Sequence, residues 1–514
     1  MPRYQNINAR HPQRHTSKPF LSKKPKRMPS TPKSPRILTL PPEILSYIFE
    51  LGNLLSETGP DDVYNPFPHF AVLCSHVSQY FRTVALSTPQ LWTYIDFREG
   101  FPYETAHIFL ERSKEAPLTL DVDLTTGSES LSASRDDHRY IVEDMIEQSI
   151  QIHSMIAPHA HRWKHFDLKA DYYEIIWYWL LELAKIRSAP YLENLGIFCH
   201  EDWKSSEEFQ PRELRNPMAV FAGGTPRIRS VDLWGVHLDW NAITLLRGLK
   251  ILRLAWHTRD VGLTAAQFTQ TLKECPDLHE LSLQQSGPLI GTWPGDRITL
   301  SHLKVLELAY LELDIAIEIF RHIRFPVLEE LLLDLEQDSV EPFIEAFASC
   351  YRFHTIQSLK LRSFQCSISK AKLFLLRMPN LTFMNLNFHY LTSNFVEALM
   401  HRHHPVCTKL NTLKLSGLGM GRLKKLLRCR PTNTITTLHL DETDNWEKSE
   451  IRWLNKAVKS IQFYTSSDDE EVDGEEEGSE ESEDEDDVNS GQSVYNVGDY
   501  VDFDMYDDET NYYD

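Results

Sequence analysis

The chain has 514 residues, 41% of them hydrophobic, which is material for about three conventional domains or for one elongated array. Its net charge of −21 is uneven: residues 1–36 hold ten Lys and Arg and no acid, residues 466–514 hold 22 Asp and Glu and no base, and the stretch between is mildly acidic. Seven cysteines without a C-x-x-C pair speak against a disulfide framework or a zinc ribbon and for a reducing intracellular compartment. No apolar run follows the basic start, and the most apolar stretch, 175–186, carries Glu182 and Lys185, so neither secretion nor a membrane span is expected.

Residues 1–36 are like-charged and without periodicity, and are expected to be a disordered basic tail. Within it, "KKPKR" (23–27) fits a nuclear import signal or a phosphate-binding arm, and "TPKSPR" (31–36) offers Thr31 and Ser34 to proline-directed kinases. "ILTLPPEILSYIFELG" (37–52) starts abruptly after it. Pro41 and Pro42 pre-set φ at a helix N-terminus, Glu43 brings a negative charge to the first turn, and Ile44, Leu45, Ile48, Phe49 and Leu51 recur mostly at helical spacing. A helix this short is marginal alone, so its apolar side chains must bury against something. A polar insertion (53–67) separates it from "HFAVLCSHVSQYFRTVALSTPQLWTYIDF" (69–97), and residues 98–162 read as a connecting or capping region.

From residue 163 to 463 a six-residue pattern, apolar-x-x-apolar-x-apolar, returns eleven times, starting at 163, 192, 228, 249, 278, 303, 328, 356, 381, 410 and 435. Its last apolar positions alternate with a polar one, as in a short strand buried on one face. Between copies lie helical patterns such as 265–275, 314–323 and 394–403, and prolines 190, 226, 276, 326 and 379 stand two residues before a copy, where they would end the preceding helix. The longest interval contains a polar stretch, 200–217, read as an inserted loop. The acidic residues from 464 onward are expected to be disordered, with Ser466, Ser467, Ser479 and Ser482 placed where phosphorylation would add further negative charge.

The eleven copies resemble leucine-rich repeats. The resemblance implies an α/β solenoid, a horseshoe whose strands line the concave face and whose units share one core. On that face Asp167 and Lys169, then Asp232, Trp234, Arg253, Glu280 (with Ser282 and Gln284), Glu307, Glu330 and Asp334 run acidic, and Lys360, Arg362, Asn385, Asn387, Lys414, His439 and Asp441 turn it toward basic. Asp232, Trp234, Arg253, Glu280, Glu307, Asp334, Lys360, Arg362 and Lys414 are the candidate substrate contacts, with Trp234 as an aromatic anchor. Residues 37–97 resemble an F-box of the divergent kind common in fungal proteins: Leu40-Pro41, Glu43-Ile44-Leu45, Ile48-Phe49, Val77, Tyr80-Phe81-Arg82, Ala85 and the closing Pro89-x-Leu91-Trp92. That resemblance implies a small all-α module docking on the Skp-family adaptor of a cullin-RING ubiquitin ligase, with Leu40, Pro41, Ile44, Leu45, Ile48 and Phe49 facing the adaptor and Trp92 packing inside. The chain is then expected to be a substrate-recognition subunit of the ligase, in the nucleus, the cytoplasm or both. The alternative is a nuclear acidic leucine-rich-repeat chaperone or inhibitor of basic proteins such as histones.

Signals for chemistry are weak. Gly417, Gly419 and Gly421 follow a copy and precede a basic helix, but the G-K-[ST] ending of a phosphate-binding loop is missing. The "HRHH" run (401–404) and His153, His159, His161 and His165 have no cysteine pair or H-E-x-x-H helix beside them. No enzymatic activity, cofactor, metal or nucleic-acid partner is expected of the chain itself.

Overall fold

The computed structural model describes residues 36–57, 69–97, 100–126, 135–200, 208–241, 245–295, 297–337, 339–350, 353–400, 405–430 and 434–465. The basic tail up to residue 35, most of the 53–67 insertion, the 401–404 histidine run and the acidic tail from 466 lie outside them.

Three helices come first: α1 (Pro42–Glu57), α2 (Phe70–Val77) and α3 (Gln79–Ser87). Pro42 opens α1, where its missing N–H leaves no extra orphan, and Ser78 caps α3 by accepting the Phe81 N–H at 3.1 Å. Trp92, in the following 3-10 turn, is fully buried, and its indole N–H donates to Ala85 O at 2.9 Å. Strands and helices then alternate: β1 (Tyr94–Asp96), α4 (Glu104–Ser113), β2 (Leu118–Leu124), α5 (Arg135–Ile156), β3 (Trp163–Ala170), α6 (Tyr173–Lys185), β4 (Asn194–Cys199), β5 (Ser230–Trp234) and β6 (Ile251–Ala255). There follow α7 (Ala265–Glu274), β7 (Glu280–Gln284), β8 (Ile298–Thr299), β9 (Val305–Ala309), α8 (Leu313–His322), β10 (Ile323–Arg324), β11 (Glu330–Gln337), α9 (Glu341–Ser349) and β12 (Ser358–Phe364). The chain ends its described part with α10 (Ile368–Leu375), β13 (Phe383–Asn387), α11 (Asn394–Leu399), β14 (Thr412–Ser416), α12 (Met420–Cys429), β15 (Thr437–Asp441), α13 (Lys448–Ala457) and β16 (Ser460–Tyr464).

Fourteen of these strands form one parallel sheet in chain order, β1 to β7, β9 and β11 to β16, while β8 and β10 pair separately. This mixed α/β architecture is compatible with a solenoid. All eleven sequence copies become strands of the sheet: β3, β4, β5, β6, β7, β9, β11, β12, β13, β14 and β15. Among the described residues, three strands of this sheet lie outside the eleven. β1 and β16 do carry the pattern, as "WTYIDF" (92–97) and "VKSIQF" (458–463), whereas β2 alternates without a break and so hides it. The sheet therefore begins inside 37–97 and takes in 98–162 as well.

The register puts equivalent leucines side by side: Leu252, Leu281, Leu306, Leu331 and Leu359 are direct neighbours on successive strands, and all five are 0% exposed. One hydrophobic core runs under the sheet from Leu45 to Val458. A phenylalanine cluster joins successive units, with Phe347 4.4 Å from Phe353 and 4.8 Å from Phe374, ring centre to ring centre. No helix among the described residues is long and apolar enough to cross a membrane.

Candidate partner-binding surfaces

The first surface is α1, which carries two apolar stripes. Leu45 and Phe49 face inward, 0% and 3% exposed, with Phe49 5.1 Å from the Phe81 ring. Gly52 continues that stripe where the Phe70 ring leaves no room for a Cβ. The helix is fixed from both ends of this contact: the Tyr80 hydroxyl donates to Leu40 O at 2.6 Å, and Ser46 pairs with Thr88 at 2.8 Å. Thr88 already donates to Val84 O, so Ser46 is the donor there.

The other stripe faces water. Ile44 is 49% exposed, Tyr47 59%, Ile48 40%, Leu51 44% and Leu54 56%, at spacings of i, i+3, i+4, i+7 and i+10. Of the six residues expected to face an adaptor, Pro41, Ile44 and Ile48 are exposed and Leu40 is half-buried. Leu45 and Phe49 are corrected: they belong to the chain's own core, because they lie about 100° round the helix from Ile44 and Ile48. Tyr47, Leu51 and Leu54 complete the outer stripe; Leu51 is legible in the sequence from the 44/48/51 series, which runs offset from 45/49, while Tyr47 and Leu54 fall outside both series.

The second surface is the polar face of the sheet. A single cross-strand row contains Asp96, Asp121, Asp167, Gly196, Asp232, Arg253, Ser282 and Glu307, then Leu332, Lys360, Asn385, Lys414, His439 and Gln462. Five of the nine candidate substrate contacts thus share one row, with acids leading and bases following. Glu280 lies one pleat before that row, and Trp234, Asp334 and Arg362 one pleat after.

Many of these charges are paired across strands. Arg253 bridges Asp232 at 3.5 Å and Glu280 at 2.7 Å, and Lys360 meets Glu330 at 2.8 Å. Glu307 accepts hydrogen bonds from Ser282 Oγ at 2.7 Å and Gln284 Nε2 at 3.3 Å, and the Lys414 ammonium sits 3.8 Å over the Tyr464 ring. Asp334 is corrected: it is 3% exposed, in register between Ala309 and Arg362, with the Tyr310 N–H donating to its carbonyl at 2.8 Å. Asp441 is buried too, its carboxylate taking the Thr443 N–H and hydroxyl at 2.9 and 2.7 Å.

Burial pushes the Asp167 carboxyl up to about 6, with the negative charge of Asp121 adding to it. Burial likewise raises Asp232 to about 6, although Arg253 pulls it back. Gly196, between them in the row, has no space for a Cβ beside the Asp167 carboxylate and the Phe198 ring. Trp234 stands in a line of rings that the sequence pattern did not reveal: His200 and Trp256 flank it at 6.3 and 5.8 Å, and Tyr310 lies 5.7 Å beyond Trp256. His200, Trp256 and Tyr310 escape the repeat pattern because each stands one residue past its strand.

The glycine turn after β14 is occupied by the chain itself. Gly417 has φ +70°, and its N–H donates to the Asp444 carboxylate at 2.9 and 3.0 Å. Gly419 caps α12, and Gly421 lies within it. Among the described residues no group of three or more His, Cys, Asp or Glu is placed to hold a metal ion. His153 instead faces Glu182 at 3.6 Å and the edge of Trp179.

No known family model matches the chain, and no curated protein does. Among solved structures, the chain is similar to one from the crystal structure of the Rad7 and Elc1 complex in yeast. The TM-score is 0.32 and the identity 13%, over 78% of this chain and 88% of that one. At that level of likeness no role is carried over.

Proposed function

We propose that the chain is a substrate-recognition subunit of an SCF-type cullin-RING ubiquitin ligase. Its first helices act as an F-box that grips a Skp-family adaptor, and its repeats, curved as a horseshoe, hold a protein substrate on their concave face. The observation that carries the proposal is the second stripe of α1: Ile44, Tyr47, Ile48, Leu51 and Leu54 stay in water although the first stripe already anchors the helix. Several large apolar side chains in a row on one helix are an aggregation hazard unless a partner covers them. Laying such a stripe into a groove is a recurrent recognition mode. The chain then contributes affinity alone, holding its substrate at high effective concentration near the ubiquitin-transfer machinery in the nucleus or cytoplasm.

The rival reading, a nuclear chaperone or inhibitor of basic proteins such as histones, is favoured by one feature: the leading half of the sheet row carries Asp96, Asp121, Asp167 and Asp232. A pull-down separates the two. Capture of the Skp adaptor that survives removal of residues 466–514 and is lost in Ile44→Ala/Ile48→Ala supports the ligase subunit. Histone capture without adaptor capture, lost when the tail is removed, replaces it with the rival.

A further inference from the structure

Across the C-terminal ends of β4 to β9 runs the line of half-buried rings formed by Phe198, His200, Trp234, Trp256 and Tyr310, with neighbouring centres 5.7 to 6.4 Å apart. Two of them are held there against backbone preference. One residue past the strand, the chain turns left-handed so that its N–H can reach the next strand: Gly235 donates to Ala255 O, Trp256 to Gln284 O, Gln285 to Ala309 O and Tyr310 to Asp334 O, each at 2.8 Å. Glycine adopts that conformation freely, but Trp256 at φ +58° and Tyr310 at φ +54° are strained. The same turn at Gln285, φ +46°, shows that the ladder imposes the conformation, and at Trp256 and Tyr310 it brings a half-exposed ring into the line.

The occupant's charge follows from what lies beside the rings. Asp167, Asp232 and Glu307 stand on the adjacent row; of the cations beside the rings, Arg253 is bracketed by Asp232 and Glu280, and Lys169, in register with Phe198, has Asp123 in register on its other side. Ring faces next to carboxylates attract a cation twice, through the ring quadrupole and through the negative charge. The line crosses five neighbouring strands, β4 to β7 and β9, so a segment that covers it is extended.

We propose that this rail binds an extended protein segment carrying arginine or lysine, laid across the strand ends with its cationic side chains over Trp234, Trp256 and Tyr310 and beside Asp167 and Asp232. The inference names the substrate chemistry of the proposed ligase subunit and rests on that proposal only for the fate of the bound segment. The test uses the full chain and a synthetic nonapeptide of three Arg-Pro-Pro repeats, with the Glu-Pro-Pro peptide as control, followed by fluorescence anisotropy and hydrogen exchange. The arginine peptide is expected to bind and to protect amides near residues 198–200, 233–235, 255–257 and 309–311, while the glutamate peptide does not bind. Trp256→Gly and Tyr310→Gly keep the left-handed backbone and are expected to weaken binding tenfold or more without lowering the unfolding temperature. If a glycine variant does not fold, Asp167→Asn takes its place, since it keeps every ring and weakens binding only when a cation is held. Protection confined to residues 466–514, or unchanged affinity in these variants, overturns the inference. Adaptor binding is read in parallel: Ile44→Ala/Ile48→Ala is expected to weaken it about thirtyfold and to leave peptide binding unchanged, so failure of one proposal is distinguishable from failure of the other.

Discussion

Truncating Ile44 and Ile48 to alanine separates the two stripes of α1. The side chains are 49% and 40% exposed, so a partner that closes over them recovers somewhat under half of the burial energy of an isoleucine. Complete burial is worth about 1.5–3 kcal/mol, which leaves about 1 kcal/mol for each and about 2 kcal/mol for the pair. That corresponds to about a thirtyfold rise in the dissociation constant for the Skp adaptor. Folding should be almost unaffected, within about 0.5 kcal/mol, because neither residue lies in the core. Leu45→Ala is the mirror image: at 0% exposure, it is expected to cost about 2–5 kcal/mol of stability. Calorimetric titration of the adaptor into each variant, with thermal unfolding alongside, reads both quantities. A folded double variant that binds the adaptor as tightly as the wild type would refute the assignment of the outer stripe. An unfolding temperature unmoved by Leu45→Ala would refute that of the inner one.

Three further outcomes follow from particular contacts. Asp167 has its carboxyl raised to about 6 by burial first and Asp121 second, so its ionisation opposes folding. Its favourable contribution is present below about 3.8 and lost as pH rises through about 6. Asp167→Asn should therefore gain on the order of 2 kcal/mol over the wild type at pH 8 and about nothing near pH 4; denaturant melts at both pH values that show no gain at the higher one exclude this account. His257 behaves oppositely. Burial lowers it to about 4; its Nε2–H donates to Val236 O at 2.8 Å, and its Nδ1 accepts from the Ser286 hydroxyl, a neutral imidazole whose contribution is complete above about 6.5 and lost as pH falls toward 4. His257→Gln should remove up to about 3 kcal/mol of the acid sensitivity, and a pH titration of the unfolding temperature with an unaltered slope would rule this out. Finally, Gly417→Ala puts a Cβ 2.9 Å from His389 N and 3.1 Å from Phe388 C at φ +70°, backbone that cannot move aside. It should cost about 1–3 kcal/mol, whereas Gly421→Ala, with open space around it inside α12, should be neutral or stabilising by up to about 1 kcal/mol. Equal urea midpoints for the two would contradict the difference.

What the sequence determined by itself was the periodic part. A hexapeptide with two inward apolar positions specifies a strand buried on one face wherever it occurs, so all eleven copies became neighbours in a single sheet, and the residues between those apolar positions fell into a common row. Strand pairing needs only local alternation repeated in order, which one dimension records fully. Tertiary structure decided what local alternation leaves open. α1 reads as one apolar face, yet packing against Phe70 and Phe81 divided it into Leu45 and Phe49 inside and Ile44 and Ile48 outside. Asp334 reads as a surface acid, yet it is buried between its neighbours on β9 and β12. Trp256 and Tyr310, silent in the pattern, were brought to within 5.7 Å by a ladder that continues one left-handed residue past the strands. Burial and ring contacts depend on which neighbour arrives from elsewhere in the chain, and that is fixed only when the units stack.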